Sequence, residues 1–322
     1  MWSFPGIFHK AVMALSISNE ISNTPTISLQ KKIKNWLRML MPMAFILPAL
    51  IFYLVFTIWP IIGTFRLSLF TWDGVSSVMQ FVGLKNYATL LSDPLFWESF
   101  GHNMIWIVAM VLIPVSLGLI FAWLLSLPGI RGISFFRVTY FMPVVISLVA
   151  VGIVWNWIYD PTFGVLDSTL RFFGLNFLAL PWLGDPQTVL GAIIVAASWT
   201  YYGFCMVIFL SAMQGLDPSY FEAAKLEGCK TWQSFIYITI PLLKNIITLV
   251  VLNSLIASFK VFDIVYIMTN GGPFHSSEVI GTYMYSAAFS NSQVGYGSAI
   301  SIFLALVIVI ISVVYMRFAE RE

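Results

Sequence analysis

The chain has 322 residues, 59% of them apolar and only 9% charged, with a formal net charge of +2. Soluble domains carry roughly a quarter charged residues, so a water-soluble fold of this composition would have to expose large apolar patches, and the charge is too small to point to nucleic acid. Composition selects a chain whose solvent is lipid.

In chain order, residues 1–37 are mixed in character and lack a compact apolar run followed by a small-residue cleavage site. They read as a loosely ordered cytoplasmic tail, ahead of one membrane domain at 38–322. Beyond them, no Asp, Glu, Lys or Arg occurs in 39–65, 103–130, 138–159, 186–216 or 279–316. Each run exceeds the roughly 20 residues a helix needs to cross a hydrocarbon core. A spanning β-barrel would instead need polar–apolar alternation in segments of about ten. A sixth crossing is required between Lys244 and Gly271, and it is long enough only if it takes in Lys260 and Asp263. The expectation is an all-α polytopic membrane protein with six transmembrane helices near 41–63, 103–125, 138–159, 190–213, 245–269 and 297–317. No internal repeat with a period of about 20 to 50 residues is present.

Six crossings place both termini on one side. Of the 16 basic residues, twelve fall on that side (Lys10, Lys31, Lys32, Lys34, Arg38, Arg131, Arg137, Lys225, Lys230, Lys244, Arg317 and Arg321) and four on the other (Arg66, Lys85, Arg171 and Lys260). The positive-inside rule then makes both termini cytoplasmic.

Within the crossings, Trp155, Trp157 and Tyr159 end the third and read as an interfacial aromatic belt. The fourth carries Trp199, Thr200, Tyr201, Tyr202 and Phe204 in mid-run. After it the sequence turns polar over 214–244. Asp217 is suited to an N-cap and Pro218 to the first helical position; helix formers run to Glu227, and Gly228 supplies a left-handed stop. Thr231 is placed to cap a second helix, TWQSFIYITI, that reaches Pro241. A simple linker rarely needs such punctuation, so the segment reads as a rigid cytoplasmic projection that docks a soluble partner. In the fifth crossing Ser254 and Ser258 are one turn apart, beside Asn253. Lys260 and Asp263 have the spacing of an intramembrane charge pair. The serines suit either a pore lining or interhelical hydrogen bonds.

Glu222-Ala223-Ala224, Gly228 and the Ile238-x-Ile240-Pro241 ending resemble the EAA loop of ABC-importer permeases, with Ile240 where the family pattern has Leu. FKVFDIVYIMTNGGP at 259–273, with Tyr283, Tyr285, Phe289 and Gly295-Tyr296-Gly297 downstream, is similar to the carbohydrate branch, the maltose- and glycerol-3-phosphate-type permeases. The resemblance implies a type I ABC-importer permease fold in a bacterial cytoplasmic membrane. It implies a second permease subunit (a paralogue), two ATP-binding-cassette ATPase subunits that hold the ATP and magnesium, and an extracytoplasmic solute-binding protein. It places Glu222, Ala223, Ala224, Gly228 and Pro241 at the ATPase contact. A sugar path would run along Ser254, Ser258, Phe259 and Phe262, with Tyr201 and Phe204 of the fourth crossing as aromatic platforms. The turn at Gly271-Gly272-Pro273 would open a loop facing the solute-binding protein.

Other chemistry has no foothold. The phosphate-loop pattern G-x-x-x-x-G-K-[ST] is absent, His9, His102 and His275 are scattered, and Cys205 and Cys229 have no CxxC partner. The expectation is a non-catalytic transporter subunit without cofactor or metal, and without nucleic-acid partner. The alternatives are an ABC permease for a non-sugar solute and an ion-driven secondary transporter, which would often show an inverted repeat.

Overall fold

The computed structural model describes residues 45–319; the tail at 1–37 and both termini lie outside the described residues. The chain divides into two compact units, 1–63 and 64–322. What is described of the first is helical from Phe45, with a π turn at Leu54–Ile58 and no buried side chain. This helix, α1, spans Phe45–Ser68.

In the second unit the end of α1 is followed by a two-strand hairpin, β1 (Phe70–Thr71) antiparallel to β2 (Gln80–Phe81), in which Phe70 pairs with Phe81. Helices follow: α2 (Lys85–Ser92), α3 (Pro94–Ser126), α4 (Ile133–Val145), α5 (Leu148–Ile158), α6 (Val165–Phe172) and α7 (Val189–Met213). Then come α8 (Pro218–Leu226), α9 (Thr231–Leu242), α10 (Lys244–Phe259), α11 (Asp263–Thr269), α12 (Ile280–Tyr285) and α13 (Val294–Ala319). Among the described residues α1, α3, α7 and α13 are each long and apolar enough to cross a membrane unbroken. The pairs α4/α5 and α9/α10 reach that length only together, and they are bent by 99° and 72°.

Three expected spans are therefore corrected. The third is not one helix. Pro143 near the end of α4 deprives its turn of a backbone donor, Ile146 turns extended (φ −76°, ψ 136°), and Ser147 caps α5 by accepting from the Ala150 N–H at 3.3 Å. The second begins nine residues before position 103, because Asp93 caps α3 by accepting from Leu95 N–H at 3.0 Å and Pro94 occupies the first turn. The same carboxylate takes the hydroxyls of Tyr283 and Tyr296, tying the start of α3 to α12 and α13. The fifth does not run on to 269. It ends at Phe259 and resumes as α11 only at Asp263, after Phe262 leaves helical geometry at φ −148°, ψ −61°.

Helix α7 is the centre of the unit: 61% of its most apolar 18-residue window is buried, against 28% for α3 and 22% for α13. Close approach is made by glycine, as is usual where lipid supplies no hydrophobic drive between helices. A Cβ on Gly118 of α3 would lie 2.5 Å from the Cys205 Cβ, and one on Gly203 of α7 would lie 2.1 Å from the Tyr140 carbonyl oxygen. Gly203→Ala therefore forces α4 and α7 apart and is expected to cost about 1–3 kcal/mol. Gly101→Ala, where nothing lies within 4 Å, is expected to be neutral or mildly stabilising. Thermal unfolding of the two variants in detergent, compared side by side, checks this.

Candidate functional site

Two regions carry the candidate residues, the polar insert and the break in the fifth crossing.

The insert folds from its own sequence. Asp217 accepts from the Ser219 N–H at 2.9 Å, which holds its carboxyl below the usual carboxylate range; the cap persists above that range and is lost on acidification through the lowered value. Helix α8 ends in a Schellman motif: Cys229 N–H donates to Ala224 O at 2.9 Å and Gly228 N–H to Lys225 O at 3.1 Å. Gly228 has φ +76°, and nothing stands within 4 Å of where its Cβ would be, so backbone conformation alone requires glycine. The cap of α9 is Lys230, not Thr231: the Lys230 N–H donates to the Gln233 Oε1 at 2.8 Å, and Thr231 is the first helical residue. A π turn at Phe235–Thr239 reorients the end of α9, and Phe235 stacks on Trp123 of α3 at 4.6 Å. Pro241 lies in the last turn before the bend into α10. Glu222 and Ala223 are exposed and Ala224 partly so. Leu226 is 89% and Tyr237 70% exposed, so the projection offers apolar as well as acidic surface.

At the other region α3, α5, α7 and α10 surround a cavity of about 170 Å³ that opens onto the break at 260–262. Trp106, Tyr201 and Phe262 supply aromatic faces, and Thr200, Ser254 and Ser258 supply hydroxyls. Each hydroxyl already donates to a backbone carbonyl: Thr200 to Ala196 at 3.2 Å, Ser254 to Met110 across to α3 at 3.0 Å, and Ser258 to Ser254 at 2.7 Å. Ser254 is thus both interhelical glue and cavity lining. What these hydroxyls keep is acceptor capacity. Asn253 donates to the Tyr201 hydroxyl at 3.0 Å, and Tyr201 packs on Phe204 with ring centroids 5.5 Å apart.

Of the six expected path residues, Tyr201, Ser254, Ser258 and Phe262 border this cavity. Phe204 stands behind Tyr201. Phe259 is fully buried in the cluster with Leu255, Ile280 and Ile300 and does not reach the cavity. Lys260 and Asp263 both border it but form no ion pair with each other, which corrects the expected charge pair. The helical spacing that would join them is interrupted between them. Lys260 caps the C-terminus of α10 and Asp263 opens α11, so each charge sits at the helix end whose dipole favours it. The expected aromatic belt is also revised: Trp157 is exposed, whereas Tyr159 is buried and donates to Ala192 O at 3.0 Å, and Trp155 packs against Trp199.

Sequence reasoning missed Asn103. It is fully buried and bridges two segments: its Nδ2 donates to Ser258 O at 3.1 Å, and its Oδ1 accepts from Ile280 N–H at 2.8 Å. Both partners are backbone groups at helix ends, the close of α10 and the start of α12. The available signal was an amide inside the charge-free stretch between Glu98 and Arg131.

With this geometry in view, the chain can be set beside known proteins. Residues 115–321 match the family described as the binding-protein-dependent transport system inner membrane component. The chain belongs to that family. It is 36% identical over 280 residues to the probable ABC transporter permease protein YurN of Bacillus subtilis, covering 87% of this chain and 96% of that protein. It is 34% identical over 282 residues to the lactose transport system permease protein LacF of Rhizobium radiobacter, covering 86% and 93%. Its fold matches the crystal structure of a bacterial ABC transporter that imports the acidic polysaccharide alginate, with a TM-score of 0.79, 22% identity, and coverage of 91% of this chain and 99% of the other. The protein is therefore a multi-pass inner-membrane permease of an ABC importer, a transporter component and not an enzyme, that works with a solute-binding protein.

Asn103→Leu removes both hydrogen bonds at the break while keeping side-chain volume. The Ile280 N–H, left without a partner, is expected to cost about 1–3 kcal/mol, while the Ser258 carbonyl keeps the Val261 N–H at 3.3 Å. The expected result is a lower unfolding temperature in lipid nanodiscs, with faster amide exchange confined to 258–262 and 278–282; uniform exchange across α10 would show that the amide does not hold the break.

Proposed function

We propose that this permease forms half of the transmembrane path for a sugar or sugar derivative and works by alternating access driven by partner ATPases. Both termini and the 214–244 insert are then cytoplasmic. Helix α8 seats in a cleft of an ATP-binding-cassette subunit, with Glu222 against a basic side chain there, and a second permease subunit closes the other half of the path. ATP and magnesium belong to the two ATPase subunits. The carrying observation is continuity: the capped α8 turns at Gly228 into α9, which bends directly into α10, the helix that brings Ser254 and Ser258 to the cavity. A displacement of α8 reaches the cavity through three consecutive helices joined by a tight turn at Gly228 and a 72° bend before α10.

The sugar reading rests on chemistry that saccharides match. Aromatic faces suit C–H surfaces of a sugar ring, and hydroxyls with only acceptor capacity left select ligands rich in O–H donors. The lactose permease relative, and the alginate importer crystallised with an alginate pentasaccharide-bound periplasmic protein, support the same class.

Reconstitution with candidate ATPases and a solute-binding protein tests the reading. Glu222→Ala and Gly228→Pro are each expected to reduce ATP-dependent uptake at least tenfold while the protein still inserts, the second because proline cannot adopt φ near +76°. Unchanged uptake in both variants would remove the coupling role, and ATP-driven uptake restricted to non-sugar solutes would remove the sugar assignment.

A further inference from the structure

The segment after the third crossing leaves a cluster of large apolar side chains on its outer surface. In α6 the side turned inward holds Asp167, which is 3% exposed and accepts the indole N–H of Trp182 at 2.9 Å. The side turned outward holds Val165 and Phe172, 67% and 85% exposed. Gly174, at φ +74°, then turns the chain so that Phe173 and Phe177, 70% and 73% exposed, join the same outward surface. Leu166 packs against the buried core and Leu170 is half-buried, so α6 has its inward anchor already and the rings at Phe172, Phe173 and Phe177 are apolar surface left over on the outside.

We propose that α6 and the turn to Phe177 form a membrane-interface anchor, with the phenylalanine rings in the headgroup–acyl boundary of the leaflet where the third crossing ends. Two observations identify lipid as the occupant. The first is continuity: α6 begins seven residues after α5, the second limb of the third crossing, ends at Ile158, and that limb exposes Ile153, Val154 and Trp157 as apolar surface just before the patch. The second is charge. The one charged side chain exposed over 161–178 is Arg171, 59% exposed; it lies 3.9 Å from the buried Asp167 carboxylate and donates to Pro161 O at 3.4 Å, and its remaining guanidinium donors face outward beside the rings, within reach of phosphate oxygens. Aromatic rings beside a cation match the interfacial zone of a phospholipid bilayer. Such an anchor would fix the outer end of α5, and with it Leu148 at the cavity.

Site-directed spin labelling tests the proposal. Phe172→Cys and Phe177→Cys, each in a Cys229→Ser background with Cys205 buried, are labelled and reconstituted in phosphatidylcholine–phosphatidylglycerol vesicles. Both labels are expected to collide severalfold more with oxygen than with a water-soluble nickel chelate, at a depth of about 5–10 Å below the headgroups. The Phe173→Asp variant carrying the label at 177 is expected to shift toward the chelate. Preferential collision of both labels with the chelate overturns the anchor. So does loss of access to both reagents only when a solute-binding protein is added, which would make this patch a protein docking surface.

Discussion

The structure depends on one constraint of the bilayer core: a backbone N–H or C=O that leaves a helix must find another partner inside the protein. Asn103 meets that constraint at the most important place. Its single side chain takes up the Ser258 carbonyl where α10 stops and the Ile280 N–H where α12 starts. The chain is thereby free to abandon helical geometry at 260–262 and to open a cavity there. Ser147 does the same at the α4/α5 break, and Asp93 does it at the start of α3 while collecting two tyrosine hydroxyls from α12 and α13. At these helix ends freed backbone groups meet polar side chains, from another segment at Asn103 and from the adjoining residue at Ser147 and Asp93.

The same economy explains how the insert and the cavity relate. An isolated helix of nine residues is marginal in water, and α8 is held by its ends: a carboxylate cap, a proline in the first turn and a left-handed glycine. Its exposed Glu222 and Leu226 then stand on a preformed helix instead of one that must order on contact. From Gly228 onward the chain has little slack. Phe235 stacks on Trp123, Leu243 is buried at the bend, and Ser254 is bonded to the backbone of α3. In the proposed coupling, a push on α8 passes to α10 and to the break beyond it instead of being absorbed in a loop. The tight glycine contacts at Gly118 and Gly203 favour motion of whole helices over compression of the core.

Much of this was readable from residue order, and what was missed has physical causes. The helical membrane character of the chain and α8 follow from charge-free runs and local capping, because lipid and helix ends impose rules that act within a few residues. The Schellman turn at Gly228 was legible for that reason. The breaks were less so. Hydropathy registers that 138–159 and 245–259 belong in the membrane but not that they bend, since the bend at Ser147 and the stop at Phe259 cost nothing in apolarity. The break beside Lys260 in turn separated it from Asp263, two residues whose spacing alone suggested a pair. Phe259 and Phe204 missed the cavity by the direction in which they leave their helices, which depends on partners far away in sequence. Asn103 was invisible for the same reason: its bonds are to residues 155 and 177 positions away.

The central claim is that motion of the insert reopens the cavity to the other side of the membrane. Ala257 borders the cavity and is exposed, so a cysteine there reports access without removing a hydrogen bond. Labelling Ala257→Cys with membrane-impermeant thiol reagents applied to either face of the reconstituted transporter, with and without trapped ATP, tests the claim directly. The account predicts that the accessible face switches on ATP trapping and that the switch disappears when Glu222→Ala is added. Access from the same face in both nucleotide states would contradict it.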